Sequence, residues 1–225
     1  QVNHGQLDLG SFIFERDGVR WAIDLGPDDY NIPGYFGKQR WTYYRNRTEG
    51  HNTLEIDGDN QSTTAVARII RFGTSPDHAV AVADLSAAYP STNQTLRGVA
   101  LVDRRTLLVR DEIDAKDAVT ADWHMHTEAD VLIDGRRATL TYGSHKLQLD
   151  VVEPASAEFL ATDATTQPPQ RPLKNVRRLS IRVTNPSPKI RFTVTLGDPD
   201  DQTDLPAWAT SSLDQWPASE NSPPD

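Results

Sequence analysis

The sequence is a long succession of short β-rich segments separated by turn-forming dipeptides, and no stretch repeats its apolar residues with the 3.6-residue period of an amphipathic helix. The clearest unit lies near the start, where residues 11–16 and 19–24 alternate around Asp17-Gly18. That dipeptide favours a tight hairpin turn between two strands. A β-hairpin is therefore predicted over residues 11–24.

The same pattern continues along most of the chain. Further strands are predicted at 52–57, 64–72, 78–85, 95–102, 106–113, 118–126, 129–133, 137–142, 145–152, 176–184 and 189–196. Many short antiparallel strands with little helix favour a sandwich or a barrel. We expect an all-β fold, a large antiparallel β-sandwich, over residues 1–198.

Two polar segments interrupt or follow the strands. Residues 162–172 are predicted to form a proline-containing loop, and residues 199–225 form a tail rich in Pro, Asp and Ser. Neither segment has enough apolar residues to fold alone. Trp208 and Trp216 are the exceptions in the tail, and we expect them to pin it onto the sandwich.

Composition limits the possible sites and partners. With 225 residues and 37% hydrophobic content, the chain can bury one full core, and without cysteine any metal must be held by nitrogen and oxygen ligands. No apolar run is long enough for a membrane helix, and no nucleic-acid motif is present. Because the chain starts at Gln1 without a secretory leader, we expect it to be the C-terminal piece of a longer protein.

Residues 31–48 form a local basic and aromatic segment in a chain of formal net charge -9. They contain no acidic residue, and they carry Lys38, Arg40, Arg45, Arg47, Tyr35, Phe36, Trp41, Tyr43 and Tyr44. Guanidinium groups bind carboxylates and sulfates, and aromatic faces pack against sugar rings. The segment therefore indicates a surface for an acidic saccharide.

Four residues around this segment suit metal or proton chemistry: His4, Asp8, Asp24 and His51. Gln6 adds a neutral oxygen donor. His4 and Gln6 are two apart, so on an extended chain they point the same way. Taken alone, such residues are more often ordinary surface or core groups than ligands. His124 and His126 also share one strand face, and we interpret them as a structural pair that covers a sheet edge.

Four short sequence runs occur here in the same order as in a known family. The runs NHGQLDLGSF, VRWAIDLG, PGYF and RWTYYRNRTEGHNTL resemble the opening of the C-terminal β-sandwich of heparinase II/III-like polysaccharide lyases. In that family an N-terminal α/α toroid precedes the sandwich, and the active site lies in the cleft between them. The resemblance implies β-elimination of a uronic-acid polysaccharide, which needs carboxylate neutralisation, a base and an acid.

The resemblance also implies roles for individual residues. His4 and Tyr35 would be catalytic, and Asn3 would face the cleft beside His4. Tyr44, Arg45 and Arg47 would line or brace the cleft and bind substrate.

The family's structural zinc would be held by a histidine two residues after the catalytic one, by Asp24 and by His51. Here Gln6 occupies the first position, and a carboxamide is a weaker and harder ligand than imidazole. We therefore expect a lower affinity for zinc, with calcium, a water or nothing as the alternatives to zinc in this site.

The expected function is therefore that of the C-terminal domain of a lyase for an acidic polysaccharide, located in the periplasm or secreted. The toroid is absent from these 225 residues, so we expect half an active site and negligible activity from the chain alone. Two alternatives stay open: a carbohydrate-binding module without chemistry, and a purely structural support for a toroid.

Overall fold

The computed structural model describes residues 4–185, 188–200 and 204–218. These residues form fourteen strands and five short 3-10 helices. The strands are β1 Phe14–Arg16, β2 Val19–Ala22, β3 Leu54–Ile56, β4 Arg68–Thr74, β5 His78–Asp84, β6 Thr92–Val102, β7 Thr106–Ala115, β8 Val119–Thr127, β9 Asp130–Asp134, β10 Arg137–Tyr142, β11 His145–Glu153, β12 Phe159–Asp163, β13 Arg177–Asn185 and β14 Lys189–Gly197. The 3-10 helices are Lys38–Thr42, Thr48–Gly50, Ser86–Ala88, Ala207–Thr210 and Leu213–Gln215.

Two antiparallel sheets form the sandwich, as predicted. The large sheet has eight strands in the order β4-β5-β6-β7-β14-β11-β10-β9, and the small sheet has four in the order β12-β13-β8-β3. The core between them includes Trp123 and Met125 from β8 and Phe192 from β14, all fully buried. Because side chains alternate along a strand, His124 and His126 lie on the other face of β8, outside this core.

The predicted hairpin at residues 11–24 is confirmed, with strands shorter than expected. Asp17 and Gly18 both have positive φ angles, as a type I′ turn requires, and β1 pairs antiparallel with β2. The amide of Asn52 donates to the carbonyls of Phe12 and Ile23 at 2.7 and 2.9 Å. The hairpin is thereby fixed beside the residues that lead into β3.

A buried ion pair attaches the large sheet to the same region. Arg97 on β6 makes a bidentate contact with Asp111 on β7, with N···O distances of 2.7 and 2.9 Å. Its remaining guanidinium nitrogen donates to the carbonyls of Gly10 and Asn52 at 2.9 and 2.8 Å. The residues around the expected site are therefore held by both sheets.

Strand β12 was not predicted. It pairs with β13 at the edge of the small sheet, and its last two residues fall within the segment predicted as a loop at 162–172. An edge strand is short and half exposed, so its sequence lacks the apolar alternation of a central strand. Leu160, for example, is 56% exposed.

The tail folds back onto the outer face of the large sheet, as the two tryptophans predicted. Trp216 and Leu213 are buried against Val80, Val82 and Leu96, and Trp208 is partly buried in the same cluster. Among the described residues, no helix is long and apolar enough to cross a membrane.

Candidate functional site

The predicted catalytic His4 lies at the surface in contact with two aromatic rings. Its ring centroid is 5.3 Å from that of Tyr30 and 5.7 Å from that of Phe36. Tyr30 and Phe36 are themselves 45% and 54% exposed. Asn3, predicted to face the cleft beside His4, lies outside the described residues.

Tyr35 completes a four-ring group with His4, Tyr30 and Phe36, which we name the aromatic cluster. The Tyr35 ring centroid lies 5.1 Å from each of the Tyr30 and Phe36 centroids. Unlike these two rings, Tyr35 is buried, and its hydroxyl donates to the amide oxygen of Asn46 at 3.3 Å. The structure thus brings the two predicted catalytic residues into one cluster, with the tyrosine hydroxyl on its inner side.

Arg40 contacts both the aromatic cluster and the backbone next to His4. Its guanidinium carbon lies 4.8 Å from the Tyr35 ring centroid, within the range of a cation–π contact. The same side chain donates to the carbonyls of Gly5 at 3.0 Å and Tyr35 at 3.3 Å. The backbone next to His4 is therefore fixed by a residue in the basic segment.

Tyr44 and Arg45, predicted to bind substrate, make their contacts inside the protein. The Tyr44 hydroxyl lies 2.9 Å from Nε2 of His126, and burial raises the pKa of Tyr44 to about 12. Arg45 donates to the carbonyl of Leu25, and its Nε lies 3.7 Å from Oδ2 of the buried Asp28. Both side chains are therefore engaged inside the protein in this structure.

Arg47 is the most accessible of the three, with a side chain 33% exposed. Its Nη2 lies 3.2 Å from Glu49 and 3.7 Å from Glu55. Glu55 in turn lies 3.1 Å from Nε2 of His124. Burial opposes ionisation of Glu55, but His124, Arg47 and the nearby Arg178 outweigh it and lower the pKa of its carboxyl.

Ser180, His124 and Glu55 stand in the order of a hydrolase triad, since Nδ1 of His124 lies 2.9 Å from the Ser180 hydroxyl. Ser180 is buried in β13, which pairs with strands on both sides. A strand in that position leaves few backbone N–H groups to stabilise an oxyanion. We therefore interpret the three residues as a structural link between β3, β8 and β13.

The histidine pair of β8 is buried rather than placed at a sheet edge, because β8 lies between β13 and β3. The main-chain N–H of His126 donates to the amide oxygen of Asn52 at 2.7 Å, and its Nδ1 lies 3.2 Å from the same oxygen. The pair is structural, as interpreted from the sequence, but its location differs.

The predicted metal ligands Asp24 and His51 are neighbours, with Oδ2 and Nδ1 3.6 Å apart. His51 is buried, and neither of its ring nitrogens has a hydrogen-bond partner in the described part of the chain. The interaction with His51 lowers the pKa of Asp24, whose Oδ1 also accepts from the N–H of Gly26 at 2.7 Å. Gln6 is partly buried near the start of the chain.

A divalent metal fits part of this donor set. An unpartnered imidazole beside a carboxylate fits two ligands of such an ion. The described residues contain no group of three or more His, Cys, Asp or Glu side chains that could hold one. A third protein ligand would therefore have to be a neutral oxygen, which is the donor that Gln6 offers.

The comparisons with known proteins agree with the fold. A family model described as heparinase II/III-like, C-terminal matches residues 1–195. The chain belongs to this family. No curated protein matches the chain.

Solved structures of heparinase II/III-like proteins share the sandwich. A mutant of heparan sulfate lyase HepC from Pedobacter heparinus is 18% identical, with a TM-score of 0.73 over 89% of this chain and 32% of that one. A heparinase III is 17% identical, also with a TM-score of 0.73 and the same coverage. The chain thus spans about a third of the length of these relatives, and at such identity the likeness concerns the fold.

Proposed function

We propose that the chain is the C-terminal domain of a polysaccharide lyase that cleaves a uronic-acid-containing polysaccharide by β-elimination. The observation that supports this best is the aromatic cluster, in which an accessible imidazole contacts two half-exposed rings. Relatives of the same fold are named heparan sulfate lyase and heparinase III. On this proposal the domain supplies one wall of a cleft, and a toroid of the same parent supplies the other.

On this proposal His4 takes part in one or two of the steps that β-elimination requires. Removal of the proton at C5 of the uronate needs the neighbouring carboxylate neutralised, and departure of the glycosidic oxygen from C4 needs a proton. An imidazole at the surface can bind the carboxylate or take part in the proton transfer. The electron pair of the C5–H bond forms the 4,5 double bond as the C4–O bond breaks, and no water is consumed.

Tyr35 is the second catalytic candidate on this proposal. Its hydroxyl would have to leave Asn46 to meet a sugar, a change that binding of a substrate or of the toroid would have to drive. Asn3 and Arg47 are proposed to bind the substrate directly. Tyr44 and Arg45 support the surface from behind through His126 and Leu25.

A structural divalent metal, zinc or calcium, is also proposed, with Asp24, His51 and Gln6 as its ligands. Bound there, it would tie the hairpin to the residues before β3 and would take no part in the reaction. The test is metal analysis of the purified chain together with its melting temperature before and after chelation. Replacing Gln6 with His should raise the zinc affinity, since imidazole is the stronger zinc ligand.

The reaction is tested with the longer parent protein. Ultraviolet absorbance of the unsaturated uronate should appear with an acidic polysaccharide and fall roughly 10²- to 10⁴-fold in the His4→Ala variant. His145→Ala is the matched control, because this exposed histidine lies on the distant β11. The purified 225-residue chain should give no product alone. Unchanged turnover in His4→Ala would contradict the role of His4.

A binding module without chemistry is the second candidate, since the exposed rings of Tyr30 and Phe36 suit sugar stacking alone. It predicts no absorbance signal from the parent on any acidic polysaccharide, together with retained binding that His4→Ala only weakens. A location outside the cytoplasm, in the periplasm or secreted, is proposed from the substrate class in both cases.

A further inference from the structure

A second concave surface lies beside the aromatic cluster but does not include it. This groove has a volume of about 460 Å³ and runs between the segment of residues 42–49 and the segment of residues 162–170. His4, Tyr30 and Phe36 do not line it. In residues 42–49 the two surfaces are adjacent, because Asn46 bonds Tyr35 while the next residue, Arg47, lines the groove.

The two walls of the groove are attached to each other. The main-chain N–H of Tyr44 donates to the side-chain oxygen of Gln170 at 2.6 Å. The main-chain N–H of Gln170 donates to the carbonyl of Gln167 at 3.0 Å, which fixes the turn of the second wall. A groove held in this way is formed before a ligand arrives, which lowers the entropic cost of binding.

Two guanidinium groups meet in the groove beside Glu49, and one of them, that of Arg47, also lies 3.7 Å from Glu55. Arg47 and Arg178 both pair with Glu49. The other acidic residue of the lining, Asp163, is paired with Arg177 at 3.2 Å. Arg47 makes both of its ion pairs through Nη2, and its side chain is 33% exposed. Arg178 pairs through Nη1, and its side chain is 20% exposed. Because a guanidinium carries five N–H donors, terminal N–H groups of these partly exposed side chains can donate to a ligand in the groove.

The rest of the lining is neutral and polar. Thr162, Thr165 and Gln167 are exposed along the second wall. Hydroxyl and carboxamide groups offer both donors and acceptors, as a polyhydroxylated ring requires. The volume lies in the range of small-ligand sites, which is roughly 300–1,000 Å³.

We propose that this groove is an auxiliary binding site for a uronate residue of an acidic saccharide. The uronate carboxylate binds the guanidinium groups of Arg47 and Arg178, and the sugar hydroxyls bind the threonine and glutamine side chains. The choice of a uronate rests on the proposed function, whereas the site itself rests on the groove. Such a site holds the polysaccharide at a point away from His4, so that successive encounters with the cleft are favoured.

The test is calorimetric titration of the 225-residue chain with a uronate tetrasaccharide. Thr165→Glu and Arg178→Ala should each weaken binding about tenfold, the first by charge repulsion and the second by loss of a charge-assisted contact. Arg182→Ala is the matched control, because Arg182 lies on the same face of β13 but pairs with Asp122 outside the groove. A carboxyl-reduced tetrasaccharide should not bind.

Thr165 is exposed, so its substitution leaves the fold intact even if Arg178→Ala destabilises the chain. His4→Ala should weaken tetrasaccharide binding less than Thr165→Glu does, because His4 does not line the groove. Loss of binding in His4→Ala with full binding in Thr165→Glu would overturn the auxiliary site while supporting the proposed cleft. No binding by the unmodified chain, or equal binding of the carboxyl-reduced sugar, would also overturn it, and the activity test of the parent would be unaffected.

Discussion

The outer faces of the two sheets are both covered by irregular segments, but by opposite kinds of contact. Residues 204–218 cover the large sheet with apolar side chains, among which Trp216 and Leu213 pack on Val80 and Val82. Residues 31–53 cover the small sheet with polar side chains, which meet His126 and Glu55.

We name residues 204–218 the apolar cover and residues 31–53 the polar cover. The first mainly stabilises the sandwich, and the second mainly fixes the positions of side chains. Apolar burial is large and weakly directional, so the first cover stabilises the sandwich whatever its exact orientation. Hydrogen bonds and ion pairs depend on distance and angle, so the second cover holds its side chains in defined places. Both sites proposed above lie on the second cover, where position matters more than stability.

The largest expected effect is on the apolar cover. Replacing Trp216 with Ala should lower the free energy of unfolding by about 3–5 kcal/mol, because a fully buried indole leaves a cavity. Urea unfolding measures the loss. Trp208→Ala, at a partly buried ring of the same cluster, should cost less. A loss below about 1 kcal/mol for Trp216→Ala would show that the tail contributes little.

A smaller effect is expected from adding volume beneath the tail. A Cβ at Gly98 would clash with Leu213 and lie 2.7 Å from Trp216, so Gly98→Ala should lower the free energy of unfolding by about 1–3 kcal/mol. Urea unfolding together with tryptophan fluorescence would report both the loss and the displacement. In a Leu213→Ala background the cost of Gly98→Ala should shrink. Equal costs in both backgrounds would mean that the tail does not bear on β6 as described.

Loss of one contact in the polar cover should lower the free energy of unfolding less than the substitutions in the apolar cover do. Tyr44→Phe leaves Nε2 of His126 without its partner and should cost about 1–2 kcal/mol. Tyr142→Phe, at an exposed ring, is the control and should be neutral. If the two variants unfold at the same urea concentration, the hydroxyl of Tyr44 does not stabilise the cover.

The two covers should also differ in their response to acid. Burial, together with nearby His124, holds the pKa of His126 well below its usual value of 6.5. Below that value the unfolded chain binds a proton that the folded chain does not, so stability falls as the pH decreases from 7. The slope is at most about 1.4 kcal/mol per pH unit for one group.

Urea unfolding at two pH values measures this slope, and His126→Gln should reduce it. Trp216→Ala should leave the slope unchanged, because Trp216 packs on the large sheet and His126 lies on β8 of the small sheet. A slope that His126→Gln leaves intact would assign the acid sensitivity to other groups.

Sequence pattern predicted the strands because alternation reports which face of a strand is buried, and the hairpin around Asp17 and Gly18 is the clearest example. The same signal was too weak at β12, where only one face of a short edge strand is covered. The expected ends of several strands also differ by a few residues, since pairing partners decide where a ladder stops.

The site was predicted less completely than the fold. The sequence indicated an aromatic and basic surface, but not that Tyr35 and Tyr44 would be buried, because burial there depends on partners such as Gln170, which is 126 residues from Tyr44. Tyr30 was missed because it lies between acidic and polar loop residues. Arg178 was missed because only the pairing of β13 with β8 brings it to Glu49.

The tail limits where the sequence can be truncated for expression. The family match ends at residue 195, and the last strand ends at Gly197, so either point looks like a natural boundary for expression. A chain shortened there would expose the apolar face around Val80, Val82 and Leu96 to water. Such a surface favours self-association over solubility. A shortened clone would therefore be expected in inclusion bodies, although a cut after Gly197 would still encode all fourteen described strands.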